Sequence, residues 1–216
     1  MKKNKRGMTL VEVLFATSIF SFVALILFFL FKLGQAYWSR GMAYNLIQNE
    51  MKKTSSLLEK YLKQTDVRYV QSFSNLEIPR RSALLFPVQD EEGNIEYLAF
   101  IATSDQVLPD RSGFLYFVTF RTRETTPRMD INLTIGGSNI NSITRQNINS
   151  ITLSRNITHT RSIVLLSNNI SVFDARVNLS ARTVTIKMIF AKRVVGENNL
   201  QSVGASMFVT TMNNFN

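Results

Sequence analysis

The chain has 216 residues, no cysteine, a single histidine and a formal net charge of +10 at pH 7. Without cysteine there is no disulfide staple and no thiol nucleophile, and with His159 alone an ordinary zinc site lacks its ligands. The length suits one membrane helix and one globular head, which must hold itself together by its core alone.

The chain opens on a basic stretch, Lys2, Lys3, Lys5 and Arg6, that ends at Gly7. Residues 13–31 then form an apolar run without a charged side chain, and roughly 17–25 such residues cross a bilayer as a helix. Between the two sits Glu12, whose nearest basic neighbour is Arg6. A carboxylate at the membrane's edge is costly unless a partner neutralises it. A secretory signal would have a shorter core, about 7–15 residues. A plain signal anchor fits the length but gives no reason for Glu12. The basic start keeps the N-terminus in the cytoplasm, so everything after Phe31 lies outside.

Gly7, Met8, Thr9, Leu10 and Glu12 resemble the processing site of type IV prepilins and type II secretion pseudopilins. The resemblance implies cleavage by a prepilin peptidase after Gly7 and N-methylation of Met8, with Thr9 and Leu10 completing the recognition motif. Glu12 would be the acid that meets the N-terminal amine of a neighbouring subunit in a fibre. A buried carboxylate and a buried ammonium each need the other, which agrees with that role.

Past the membrane run the pattern stays helical. Ala36, Tyr37, Ala43, Tyr44, Ile47, Met51, Thr54, Leu58, Tyr61 and Leu62 recur at three- and four-residue steps, while Arg40, Glu50, Lys52, Lys53, Glu59 and Lys63 take mostly the other faces. A single helix is therefore expected over about 9–64, with Tyr37 and Trp38 at the bilayer exit. Gly34 and Gly41 weaken it there by about 1 kcal/mol each relative to alanine, and are read as tolerated weak spots slightly ahead of a flexible joint.

From Asp66 the pattern moves towards period two. Residues 82–88 and 95–101, joined by the acidic turn Asp90-Glu91-Glu92-Gly93-Asn94, read as a hairpin, and residues 114–121 as a further strand. Residues 135–160 are dominated by Asn, Ser, Thr and Arg around isolated isoleucines, and read as an irregular, partly ordered excursion. An apolar strand at 163–174, an alternating strand at 183–191 and a closing strand follow. This layout is similar to J-type minor pseudopilins and W-type minor pilins, which implies an antiparallel β head packed on the long helix.

The expected fold is α+β: a leader at 1–7, a transmembrane and assembly helix at 8–33, its amphipathic second half at 34–65, and an exported β-rich head at 66–216. The implied role is a minor subunit that primes or caps a pseudopilus or pilus, with no enzymatic activity and no cofactor or metal. Its implied partners are prepilin peptidase, other pilin or pseudopilin subunits, an inner-membrane assembly platform and membrane lipids. The alternative is a DNA-binding or adhesive tip subunit, with Arg121, Arg123, Arg128, Arg155 and Arg161 as candidate phosphate contacts. Those arginines do not form a dense run, and a solvated basic face is the preferred reading. The acidic turn lacks the spacing of a calcium loop.

Overall fold

The computed structural model describes residues 9–74, 82–103, 113–135, 138–140, 143–154, 159–194 and 200–211. One helix, α1 (Leu10–Leu62), runs unbroken for 53 residues. It passes through both Gly34 and Gly41, where an added Cβ would meet open space. The chain divides into two compact units, 1–42 and 43–216. In the first, the residues of α1 from Leu10 to Phe31 are exposed throughout. This is the helix among the described residues that is long and apolar enough to cross a membrane.

The second unit holds the rest of α1 and ten strands. These are β1 (Gln71–Ser74), β2 (Ser82–Gln89), β3 (Ile95–Thr103), β4 (Gly113–Arg121), β5 (Leu133–Ile135), β6 (Ser138–Asn139), β7 (Ile151–Leu153), β8 (Thr160–Asn178), β9 (Thr183–Arg193) and β10 (Leu200–Thr210). Seven form one antiparallel sheet in the order β1-β2-β3-β4-β8-β9-β10, and β6-β5-β7 form a small second sheet. The expected hairpin is present, with Gln89 opposite Ile95. Its acidic turn closes on Gly93 at φ 86°, a conformation that glycine adopts freely. Asp90 is committed to that turn, its carboxylate accepting from the backbone N–H of Glu92 at 2.9 Å and of Asn94 at 2.7 Å. Pro87 sits in β2 beyond the end of its pairing with β1, so its missing N–H leaves no gap in that ladder.

Strand side chains alternate between the two faces of a sheet, and here both faces are covered. Leu84, Phe86, Val88, Leu98, Phe100, Ala102 and Leu115 join Ile47, Leu58 and Leu62 of α1 in one core. Ala83, Leu85, Ile95, Tyr97, Ala99, Ile101, Tyr116, Val118 and Phe120 join a second core on the opposite face. That second core is completed by Ile131, Leu133, Ile135, Ile140, Ile143, Ile148, Ile151 and Leu153. The polar 135–160 segment therefore departs from the irregular excursion expected of it. Its described residues hold β6, β7 and a 3₁₀ turn at Ile148–Ser150; Ile140, Ile143, Ile148 and Ile151 are buried, while Asn149 and Ser150 meet solvent and the Thr152 hydroxyl meets that of Thr134.

β8 changes partners midway. It pairs with β4 up to Ile170 and with β9 from Ile170 to Asn178, with register shifts near the change. The Ser72 and Ser82 hydroxyls donate to the backbone carbonyls of Ala175 and Phe173, drawing the β1–β2 end of the sheet towards the second half of β8 and curling it. Glu50, half-buried on α1, accepts from Ser167 Oγ at 2.6 Å and from Asn169 Nδ2 at 3.0 Å. It faces β8 and not the solvent-facing side to which its charge had assigned it. Just past the helix, Asp66 is fully buried and held by Arg68 through the backbone N–H at 3.0 Å and Nε at 2.8 Å. Burial opposes its charge, but the Arg68 hydrogen bonds prevail and keep the carboxyl below its ordinary value.

Two outcomes follow for the second core. Ile151 is fully buried, so Ile151→Ala should cost about 2–5 kcal/mol, read as a lowered denaturant midpoint of the detergent-solubilised chain. Tyr97 is buried, its hydroxyl accepting from the backbone N–H of Arg128 at 2.9 Å, and burial pushes the phenol up to about 12 from its ordinary 10.0. The fold thus favours the protonated phenol. That stabilisation is complete below the ordinary value and is lost as pH climbs towards 12. In an ultraviolet phenolate titration Tyr97 should ionise after the exposed tyrosines, and Tyr97→Phe should remove that last step.

Candidate assembly site at the N-terminus

α1 begins with a reciprocal cap. The backbone N–H of Thr9 donates to Glu12 Oε2 at 2.8 Å, and the backbone N–H of Glu12 donates to Thr9 Oγ1 at 3.3 Å. The Thr9 carbonyl accepts the first helical bond, from Val13, at 3.2 Å. This is a capping box, in which a threonine and a glutamate three residues on each satisfy a backbone donor that the helix leaves unpaired. The negative carboxylate also lies at the positive end of the helix dipole. Glu12 therefore has a partner within its own chain, on an otherwise apolar first turn with Leu10 and Val11 exposed beside it.

Of the expected N-terminal residues, Thr9, Leu10 and Glu12 fall together in this first turn, whereas Gly7 and Met8 lie outside the described residues. The second role of Thr9 was missed in the sequence, although its spacing from Glu12 is the signal of a capping box. Further along α1, Lys32 Nζ lies over the Phe28 ring at 5.7 Å and the Arg40 guanidinium over Tyr37 at 5.9 Å. Tyr37 and Trp38 are exposed beside them, as side chains that suit a bilayer surface.

The arginines weighed as phosphate contacts are dispersed. Arg121 pairs with Glu96 at 2.8 Å and Arg128 with Glu124 at 2.8 Å. Arg161 donates to the carbonyl of Ile151, tying β8 to β7. Arg123 is exposed, and Arg155 lies outside the described residues. Arg121 and Arg123 border a cleft of about 830 Å³ whose other lining residues include Lys60, Asp90, Glu91, Glu92 and His159. Its charges are mixed, unlike the single-sign surface that tracks a phosphate backbone. His159 packs edge-on against Phe120, ring centroids 5.3 Å apart.

Removing the Thr9 hydroxyl should loosen the first turn without touching a charge. Thr9→Val is expected to cost about 1 kcal/mol of local helix stability, seen as faster amide exchange at Glu12 in micelles with the head amides unchanged.

The model of the prokaryotic N-terminal methylation motif matches residues 2–28. No curated protein and no solved structure matches the chain. The matched segment spans the basic start, the capped first turn and most of the apolar run. Together with a long apolar helix and a curled antiparallel sheet, the motif supports a protein of the type IV pilin family.

Proposed function

We propose that the chain is a minor pilin or pseudopilin, cut by prepilin peptidase between Gly7 and Met8 and N-methylated on Met8. The observation that carries this reading is the methylation motif with Glu12 in the first turn of an exposed apolar helix. The subunit waits in the cytoplasmic membrane, with its N-terminus in the cytoplasm and its head outside. It then enters the fibre of a type II secretion pseudopilus or a type IV pilus, priming or capping it. A J-type or W-type subunit best fits the size of the head and the strand layout after residue 160. The role is structural, and its partners are the peptidase, neighbouring subunits and the membrane assembly platform.

The capped first turn gives assembly a physical description. Before assembly, Glu12 is held by Thr9 of its own chain. A carboxylate offers several acceptor positions, so a methylated amine can approach the same group without first breaking the cap. Entry into a bundle removes water from both charges, and the pair then offsets what each would lose alone.

Mass spectrometry of the N-terminus, with and without co-expressed prepilin peptidase, tests the reading. A chain beginning at N-methylated Met8 only when the peptidase is present is the expected result. A chain that keeps Lys2 to Gly7 in both cases, or is cut near Ala36, would sink it. Glu12→Ala should still be cleaved but should reach the fibre poorly, and normal incorporation of that variant would remove the charge-pairing role.

A further inference from the structure

Asn132, Asn156, Asn169 and Asn178 each stand in an Asn-X-Ser/Thr triplet without proline at X. In an exported domain such a triplet is an acceptor sequence for an N-linked glycan, a bulky group that belongs on the surface. The structure separates the three asparagines that it describes. Asn169 is buried and gives its side-chain amide to both carboxylate oxygens of Glu50 at 3.0 Å. Asn178 is exposed but closes the turn between β8 and β9, its Oδ1 accepting from the backbone N–H of Ala181 at 3.0 Å. Asn156 lies outside the described residues. Asn132 differs from both. It ends the irregular stretch between β4 and β5 and is exposed, while Ile131 and Leu133 on either side are anchored in the second core. Its backbone N–H and carbonyl are both taken by Ser154, at 2.8 Å and 2.7 Å, so its place is fixed by the main chain. Its side-chain amide has no hydrogen-bond partner among the described residues.

A second, independent feature selects the same residue. Asp130, exposed and two positions before Asn132, is an acid where the other triplets have Ser154, Ser167 and Arg176. Bacterial transfer of oligosaccharide to asparagine calls for a carboxylate at that position, a charged handle for a cationic pocket of the enzyme. We infer that Asn132 carries an N-linked oligosaccharide, taken from a lipid-pyrophosphate-linked donor on the outer side of the membrane. In the transfer, Asn132 Nδ2 attacks the anomeric carbon of the donor sugar and a C–N bond forms. The C–O bond to the pyrophosphate breaks, its electron pair leaves with the lipid pyrophosphate, and one amide proton passes to a base of the transferase. Thr134 dates the event. Its hydroxyl, which the transferase must engage, meets that of Thr152 on β7 at 3.0 Å in the folded head. The sugar is therefore attached after residues 130–134 emerge and before β7 pairs with β5. The inference rests on the proposed orientation, with the head outside the membrane.

The chain has no cysteine, so Lys187→Cys, at an exposed position of β9, reports where the head lies through a membrane-impermeant maleimide. The full-length protein carrying that substitution is made in its own cells, labelled on intact cells, digested and read by peptide mass spectrometry. The expected result is a labelled head with a carbohydrate mass on the peptide that contains Asn132. Asn132→Gln should remove that mass, and Asp130→Asn and Thr134→Val should each remove most of it. Thr134→Ser should keep it, and labelling should be unchanged in all four. A labelled head with a bare Asn132, a sugar carried by another residue instead, or a sugar that survives Asp130→Asn in full would each overturn the proposal. A head that never takes the label would overturn the orientation reading, and this inference with it.

Discussion

Three strands, β2, β3 and β4, are apolar on both faces, and the rest of the head is arranged around the need to cover them. A strand buried on one face can alternate apolar with polar; one buried on both cannot. Phe86 and Leu85 are neighbours in sequence, yet they belong to different cores. The helix stripe of Ile47, Leu58 and Leu62 covers one side, and the isoleucines of residues 131–151 cover the other. In a chain without disulfides, this double cover is what makes a thin curled sheet stable. Glu50 adds direction to the packing. Its bonds to Ser167 and Asn169 give the helix a preferred rotation and height against β8, which apolar contacts alone would leave looser.

At the N-terminus the same carboxylate answers to two demands. Glu12 completes the helix cap in the isolated subunit, and the proposed assembly needs it to receive a neighbour's amine. A group that serves as a cap is held in one rotamer at the start of the helix, so it need not be ordered again when the amine arrives. That lowers the entropic cost of forming the pair. Thr9 then has a physical reason for its place beside Glu12.

Much of this could be read from the chain. The extent of α1 follows from an uninterrupted helical pattern, and the β2–β3 hairpin from two apolar runs around Asp90 to Asn94. The second layer was harder, because Ile140, Ile143, Ile148 and Ile151 are scattered among Asn, Ser and Thr at no fixed period. Their common destination exists only once the sheet supplies a face to pack on. A signal was nonetheless present. Residues 83–86 and 97–102 are apolar without alternation, and continuous apolar strands require a second cover. Glu50 was assigned to solvent by its charge, since its partners lie more than a hundred residues away and spacing along one helix cannot show them. The arginines looked alike in the sequence, but Arg121 and Arg128 found acidic neighbours and Arg161 a carbonyl, differences that only the fold creates.

The strand order of the large sheet also bears on how the head is made. Reading across it, each strand lies beside its predecessor in the chain, except where β8 follows β4. Pairings between successive segments close short loops and form fast. As the chain emerges N-terminus first, β2, β3 and β4 can zip together one after another, but their outer face stays bare until residues 131–153 arrive. Those residues are the very ones inserted between β4 and β8. The apparent interruption in the sheet therefore places the cover next in line for delivery, shortening the interval in which a half-made sheet shows its greasy side to other nascent chains.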